Sequence, residues 1–540
     1  MTKHLKMKYT HHNNLTSKIR TISLVLILIS SFDLFGQHKN IVIDGQVSNY
    51  PNEPSLVIDP NNPQRMMAAS NINNYYFSED AGENWVSGKL SSVYGVWGDP
   101  ALMVDNYGDF YFFHLSNPPG GNWIDRIVCQ KTADLGNNWT PGSFMGLNGA
   151  KAQDKEWPVV NRKNNHIYIS WTQFDNYGSS SASDSSHIMF SRSFDAGDNW
   201  EPAIRLDKKG GDCIDDDNTV EGAVPALGPN GEIYIAWAGP EGIVLDKSSD
   251  EGSSWLKNEI HVSDNPGGWN YEIPCIFRCN GLPVTVCDTS QSINRGNIYV
   301  NWTDQRNGLN DTDVWLARSV DGGESWEEAV RVNNDPPGKH QFLSWATIDQ
   351  TNGTIYVVFY DRRNYTDNRT DVYLAKSEDG GLNFTNHLIS EAPFVPNDGI
   401  FFGDYTNINA HNDIIRPIWA RLHAGELSVL TAIVNPEFLT SENEKIAYSH
   451  SIELEQNYPN PFTNETYISF KLHKAEILDL NIYDVNGQRG INIFEQKDFT
   501  EGKHVLRISD QLINLEAGVY YYVLKSGDGF FYKKMIQVND

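Results

Sequence analysis

The chain has 540 residues, with 42 Lys and Arg against 69 Asp and Glu, for a formal net charge of −27. Such a surplus repels nucleic acid and anionic membrane surfaces and excludes both as partners. The length allows two or three domains, and 12% aromatic residues with 43 Gly point to an all-β protein with many turns.

The N-terminus carries Lys3, Lys6, Lys8, Lys18 and Arg20, then a largely apolar run over residues 22–29, then Ser30, Ser31 and Gly36. Residues 1–36 are therefore expected to be a secretory signal cut near Gln37, taking the mature chain out of the cytosol. No other segment approaches the roughly twenty apolar residues of a membrane span, so no transmembrane anchor is expected.

Over residues 37–435, short runs rich in Val, Ile, Tyr and Trp alternate with turn clusters, which predicts strands throughout. One pattern returns: Ser78/Asp80/Gly82/Trp85, Thr132/Asp134/Gly136/Trp139, Ser193/Asp195/Gly197/Trp200, Ser248/Asp250/Gly252/Trp255, Ser319/Asp321/Gly323/Trp326 and Ser377/Asp379/Gly381/Phe384. In each copy the Asp folds back on the turn's amides, the Gly supplies positive φ, and the aromatic closes over the turn. The copies lie about 55 to 70 residues apart, near the period of a four-stranded blade.

These copies resemble the Asp-box, or BNR, repeat of sialidases and related β-propellers, where the box joins the third and fourth strands of a blade. The resemblance implies a sialidase-like propeller over about residues 40–435, with the boxes as structural pins. Strand runs after the sixth box lack a fourth member, and residues 41–47 supply one by pairing with residues 427–434. Seven blades are expected, with six as the alternative.

In such a ring, the segments entering the first strand and leaving the second share one mouth. They bring Glu53, Asp99, Glu156, Glu221, Glu272 and Asp404 toward the axis, together with Asp304 and Arg306, and Asp361, Arg362 and Arg363, where the arginines either hold a substrate carboxylate or sulfate or, the favoured role, neutralise the neighbouring Asp residues. Crowded like charges raise one another's pKa, so a protonated carboxyl can act as general acid beside an ionised partner. The alternative is that these carboxylates cap strand amides and hold water or Ca²⁺. Trp157, Trp171, Trp345 and Tyr405 are placed to stack on sugar rings, with packing between blades as the alternative for Trp171.

Sialidases bind the substrate carboxylate with three arginines and use a Tyr nucleophile. Here Asn52-Glu53-Pro54-Ser55-Leu56 stands where the first arginine would be, and that arginine is absent. The resemblance places Arg306 and Arg362 as second and third, and Tyr405 as nucleophile with Glu221 as helper. Catalysis thus falls to Glu221, Asp99, Glu156 and Tyr405, and substrate binding to Arg306, Arg362, Glu53, Glu272, Asp404 and Trp345. No cofactor is required and no metal ligand set is expected, though Ca²⁺ is compatible with the mouth.

Cys213, Cys275, Cys279 and Cys287 fall in one part of the chain and are expected to form two disulfides, with Cys129 a buried thiol. Residues 436–454 read as a linker. Beyond it, Asn457-Tyr458-Pro459-Asn460-Pro461-Phe462, Asn481-Ile482-Tyr483-Asp484-Val485-Asn486-Gly487 and Lys533-Lys534-Met535-Ile536 resemble the C-terminal sorting domain of the type IX secretion system. That resemblance implies a small β-sandwich over residues 455–540, handling by the secretion machinery, and release or attachment at the cell surface. A secreted glycoside hydrolase acting on extracellular glycan is the reading adopted, and a noncatalytic glycan-binding or adhesion propeller is the alternative.

Overall fold

A computed structural model describes residues 38–46, 49–423, 425–439, 452–472, 474–484, 489–509, 515, 517–526 and 529–538. The expected signal segment and most of the expected linker lie outside the described residues. Two compact units emerge, one of residues 35–450 and one containing residues 451–540.

Among the described residues, the first unit contains seven four-stranded antiparallel sheets. In the first six the strands follow chain order from the inside outward, as in Ser55–Ile58, Met66–Ser70, Asn74–Ser78 and Val86–Lys89. The remaining innermost strands are Gly98–Val104, Ala152–Asn161, Glu221–Leu227, Val284–Cys287, Gln341–Asp349 and Asn407–His411. Each packs on the next, and Asn407–His411 packs back on Ser55–Ile58, so the ring closes. Closure also runs through the chain end: Lys39–Asp44 forms the fourth strand of the last sheet, with Lys39 opposite Ile433 and Asp44 opposite Val429. That pairing covers an edge that would otherwise stay open.

Second strands are buried on both faces because each sheet is sandwiched between two others. Phe110–Leu115 is buried at every residue, and its run Phe-Tyr-Phe-Phe-His-Leu lacks the alternation of a half-solvated strand. Each recurring turn is a hydrogen-bonded knot between third and fourth strands. In the first, Ser78 Oγ donates to Asp80 Oδ1 (2.9 Å), the Gly82 amide donates to Ser78 Oγ (2.8 Å), and the Asn84 amide donates to Asp80 Oδ1 (2.9 Å). Ala81 and Gly82 are both left-handed, at φ 59° and 88°.

All five cysteines are free thiols, which corrects the expected disulfides. The cysteines are set on different elements: Cys213 in a loop bridged by backbone to Ser179, Cys279 in a two-stranded ribbon, Cys287 at the end of an innermost strand, and Cys275 in a loop where its Sγ accepts a hydrogen bond from Asn368. Among its described residues the second unit has a three-stranded and a four-stranded sheet. They share a core that includes Phe462, Phe470, Leu480, Ile508, Tyr522 and Met535.

Candidate functional site

Four innermost strands share a bulge near their start, where pairing skips between Gly98 and Ala101, Asp154 and Trp157, Glu221 and Val224, and Phe342 and Trp345. Within each skip one residue is left-handed: Asp99 (φ 52°), Lys155 (56°), Gly222 (81°) and Leu343 (49°). Glu53 (49°) and Gly403 (105°) adopt the same conformation just ahead of the first and last innermost strands. A left-handed non-Gly residue costs about 1–2 kcal/mol, and a bulge bends the strand and re-aims its side chains. Asp99, Glu156 and Glu221 lie inside their strands, because pairing continues through the bulge.

These bulges gather one buried electrostatic cluster. Lys155 Nζ lies 2.9 Å from Asp404 Oδ2 and 3.5 Å from Asp99 Oδ2. Arg278 Nε donates to Asp404 Oδ1 (2.9 Å), its Nη2 donates to Asp404 Oδ2, and its Nη1 donates to Asp215 Oδ2 (3.0 Å). Burial opposes ionisation of Asp404, but Lys155 and Arg278 outweigh it and hold the carboxyl well below the usual range. For Lys155 burial likewise opposes the charge, and Asp404, Asp154 and Asp99 overcome it.

The other carboxyls go the opposite way. Burial first, then Asp99, raises Glu53 and Glu156 well above 4.5, and burial with Asp215 does the same to Glu221. Burial pushes Asp154 up to about 7. Glu53 accepts hydrogen bonds from Asn71 Nδ2 and from the Asp404 amide. Neither carboxyl oxygen of Glu156 or Glu221 accepts a hydrogen bond from another described residue. Environments that push neighbouring carboxyls apart in this way separate a proton donor from an ionised partner.

Tyr405 is buried against Trp157 (5.2 Å between ring centroids) and Trp345 (6.0 Å), and those two indoles are 4.4 Å apart. Burial, then Asp99 and Glu53, raises the phenol, so Tyr405 is neutral. A cavity is lined by Lys155, Trp157, Asn280, Trp345, Asp404 and Tyr405, among others.

Glu53, Asp99, Glu156, Glu221, Asp404, Trp345 and Tyr405 are thus brought together. Glu272 is exposed instead, in a segment that turns back through the two-stranded ribbon Asn270–Tyr271 and Cys279–Asn280. Arg306 is engaged by Asp304 (Nη2 to Oδ2, 2.6 Å) and stacks over Trp315 at 4.3 Å. Arg363 is held likewise by Asp361 Oδ2 at 2.7 Å. Arg362 is buried and donates to the Pro274 carbonyl (2.8 Å), bracing the segment that carries Arg278. Trp171 is fully buried and donates to Gln153 Oε1 (2.7 Å), which makes it a packing residue.

Lys155, Asp154, Asp215 and Arg278 were not anticipated. Asp154-Lys155-Glu156 offered a signal, three consecutive charges opening an apolar strand. Arg278 sits in an irregular loop and offered none. Among the described residues no group of His, Cys, Asp or Glu is arranged to hold a metal ion.

Solved structures with similarity to the chain include a Hadza microbial sialidase (15% identity, 70% of this chain and 74% of that one, TM-score 0.41). An ulvan lyase bound to -[GlcA(1-4)Rha3S]- is 12% identical over 72% of this chain and 95% of its own, with TM-score 0.45. A protein of unknown function from Dyadobacter fermentans is 12% identical over 73% and 96%, with TM-score 0.41. No curated protein matches the chain. Residues 456–539 match the secretion system C-terminal sorting domain family, and no helix among the described residues is long and apolar enough to cross a membrane. The chain therefore carries a type IX sorting domain, which directs it to the cell surface or beyond.

Proposed function

We propose that the ring-shaped unit is a glycoside hydrolase acting on extracellular glycan. The observation that carries the reading is the gathering of Asp99, Glu156 and Tyr405 at one mouth: Lys155 Nζ reaches both Asp99 (3.5 Å) and Asp404 (2.9 Å), Glu156 follows Lys155 and Tyr405 follows Asp404 in the chain, and Tyr405 packs on Trp157 at 5.2 Å. Glu156 keeps its proton to higher pH and serves as general acid at the glycosidic oxygen. Asp99, which is partly exposed, acts as base or stabilises positive charge at the anomeric carbon, and Tyr405 with Trp157 and Trp345 positions the ring. Lys155 and Arg278 hold Asp404 and so fix the segment that carries Tyr405.

The near-complete burial of Glu156 and Glu221 favours a second reading, a noncatalytic glycan-binding propeller in which the cluster shapes the mouth. Glu156→Gln separates the two. In the hydrolase it abolishes product formation while glycan binding persists. In a binding module wild type and variant bind alike and neither forms product.

A further inference from the structure

Beside the acidic mouth, three aromatic rings form a ladder that the proposed chemistry does not use. Trp97 lies in the segment leading into Gly98–Val104, and Trp123 in the loop between Phe110–Leu115 and Ile127–Thr132. Tyr177 lies in the matching loop of the third sheet, between His166–Phe174 and Ser186–Ser193. Trp97 and Trp123 meet edge to face at 5.6 Å and 89°, and Trp123 and Tyr177 at 5.4 Å and 86°. Despite this packing, the two indoles remain 43% and 40% exposed.

The ladder is held in place from below. The Trp97 amide donates to the Leu115 carbonyl (2.9 Å) and the Ile124 amide to the Ser116 carbonyl (3.0 Å). Ser116 Oγ donates to Asp125 Oδ1 (2.9 Å). At the inner end the Tyr177 hydroxyl donates to Asp215 Oδ2 (2.6 Å), the atom that also accepts from Arg278. Rigid, exposed aromatic surface running continuously into a polar mouth is the composition of a ligand site rather than of solvated surface.

We infer that Trp97 and Trp123 form a docking ledge for a neutral polysaccharide, whose pyranose C–H faces lie on the indoles and whose chain runs over Tyr177 to the mouth. The inference rests on the glycan reading above and narrows its substrate to a neutral polymer. Charge selects that occupant: at the ladder's inner end the Lys155 ammonium and the Arg278 guanidinium are already engaged by Asp99, Asp404 and Asp215 and so are not offered to a uronate or sulfate, and the chain's net charge of −27 repels an anionic polymer. Sugar hydroxyls instead find acceptors there.

The test is affinity electrophoresis of the full-length protein in gels containing galactomannan, xylan or laminarin, with alginate and chondroitin sulfate as anionic counterparts. Wild type is expected to be retarded by at least one neutral polymer and by neither anionic one. Trp97→Ala/Trp123→Ala is expected to weaken that retardation about tenfold or more, while Trp97→Phe/Trp123→Phe keeps most of it. Glu156→Gln retains retardation if the ledge is real, whether or not the protein hydrolyses the polymer, so failure of catalysis and failure of the ledge are read separately. The inference is overturned if no neutral polymer retards wild type, if the alanine variant is retarded equally, or if only anionic polymers retard it. It is also overturned if the indoles prove to mediate a dimer that the alanine variant dissolves in sedimentation experiments.

Discussion

The titration of Glu156 makes the strongest quantitative demand on the account. In the unfolded chain this carboxyl ionises near 4.5, whereas in the folded protein burial and Asp99 keep its proton on to higher pH. Above pH 4.5 the folded state therefore binds more protons than the unfolded state, and stability must fall as pH rises, by at most about 1.4 kcal/mol per pH unit for this one group. From pH 4.5 to 7 the loss sums to about 3 kcal/mol at most. Glu156→Gln keeps the shape and removes the titration. The amide left without partners costs about 1–3 kcal/mol, but that cost does not change with pH, so the informative quantity is the slope. Urea unfolding followed by tryptophan fluorescence reports this unit alone, since all 15 tryptophans precede residue 420. The variant is expected to gain on wild type as pH rises above 4.5, by at most about 1.4 kcal/mol per pH unit and only until the pH reaches the raised pKa of the folded protein. Parallel stability curves for the two proteins between pH 4.5 and 7 would refute the reasoning.

Three further expectations concern the same unit. Lys155→Met leaves Asp404 with one cation instead of two and should cost about 3–5 kcal/mol near neutral pH. Because Asp404 is held below its ordinary 3.8, the stability it contributes is present above that value and lost below it, so the variant's deficit in urea unfolding should shrink on acidification below about pH 4. Gly252→Ala places a Cβ 2.5 Å from the Phe190 ring at φ 81°. Left-handed strain and overpacking together predict a loss of about 2–5 kcal/mol, readable as a lowered unfolding midpoint. Deleting residues 38–46 uncovers the Glu426–Ile433 edge and should lower the midpoint by about 5–10 °C, with concentration-dependent light scattering as the edge pairs between molecules.

What could be read from the residues follows the range of the interactions involved. The recurring turns were legible because their hydrogen bonds close within eight residues, from Ser78 to Trp85, and nothing distant is needed to satisfy them. The carboxylates at the starts of the innermost strands were legible for a similar reason, as charges set directly against apolar runs. The bulges were not. Lys155 and Leu343 are left-handed without being Gly or Asn, because tertiary packing imposes that conformation against local preference. Glu272 failed as a mouth residue because the ribbon at Asn270–Tyr271 turns the chain back before the fifth innermost strand. Arg278 was invisible because its meaning lies in Asp404 and Asp215, 126 and 63 residues away. Arg306 shows the converse. A neighbour two positions off, Asp304, claims its guanidinium before any substrate could.

The measurement that bears most directly on the central claim is mass spectrometry of soluble products after the full-length protein is incubated with a panel of neutral and anionic polysaccharides, beside Glu156→Gln and Asp99→Asn. Wild type is expected to release sugar from at least one polymer, and both variants none. No release by wild type across the panel, or release that survives in Glu156→Gln, would contradict that claim.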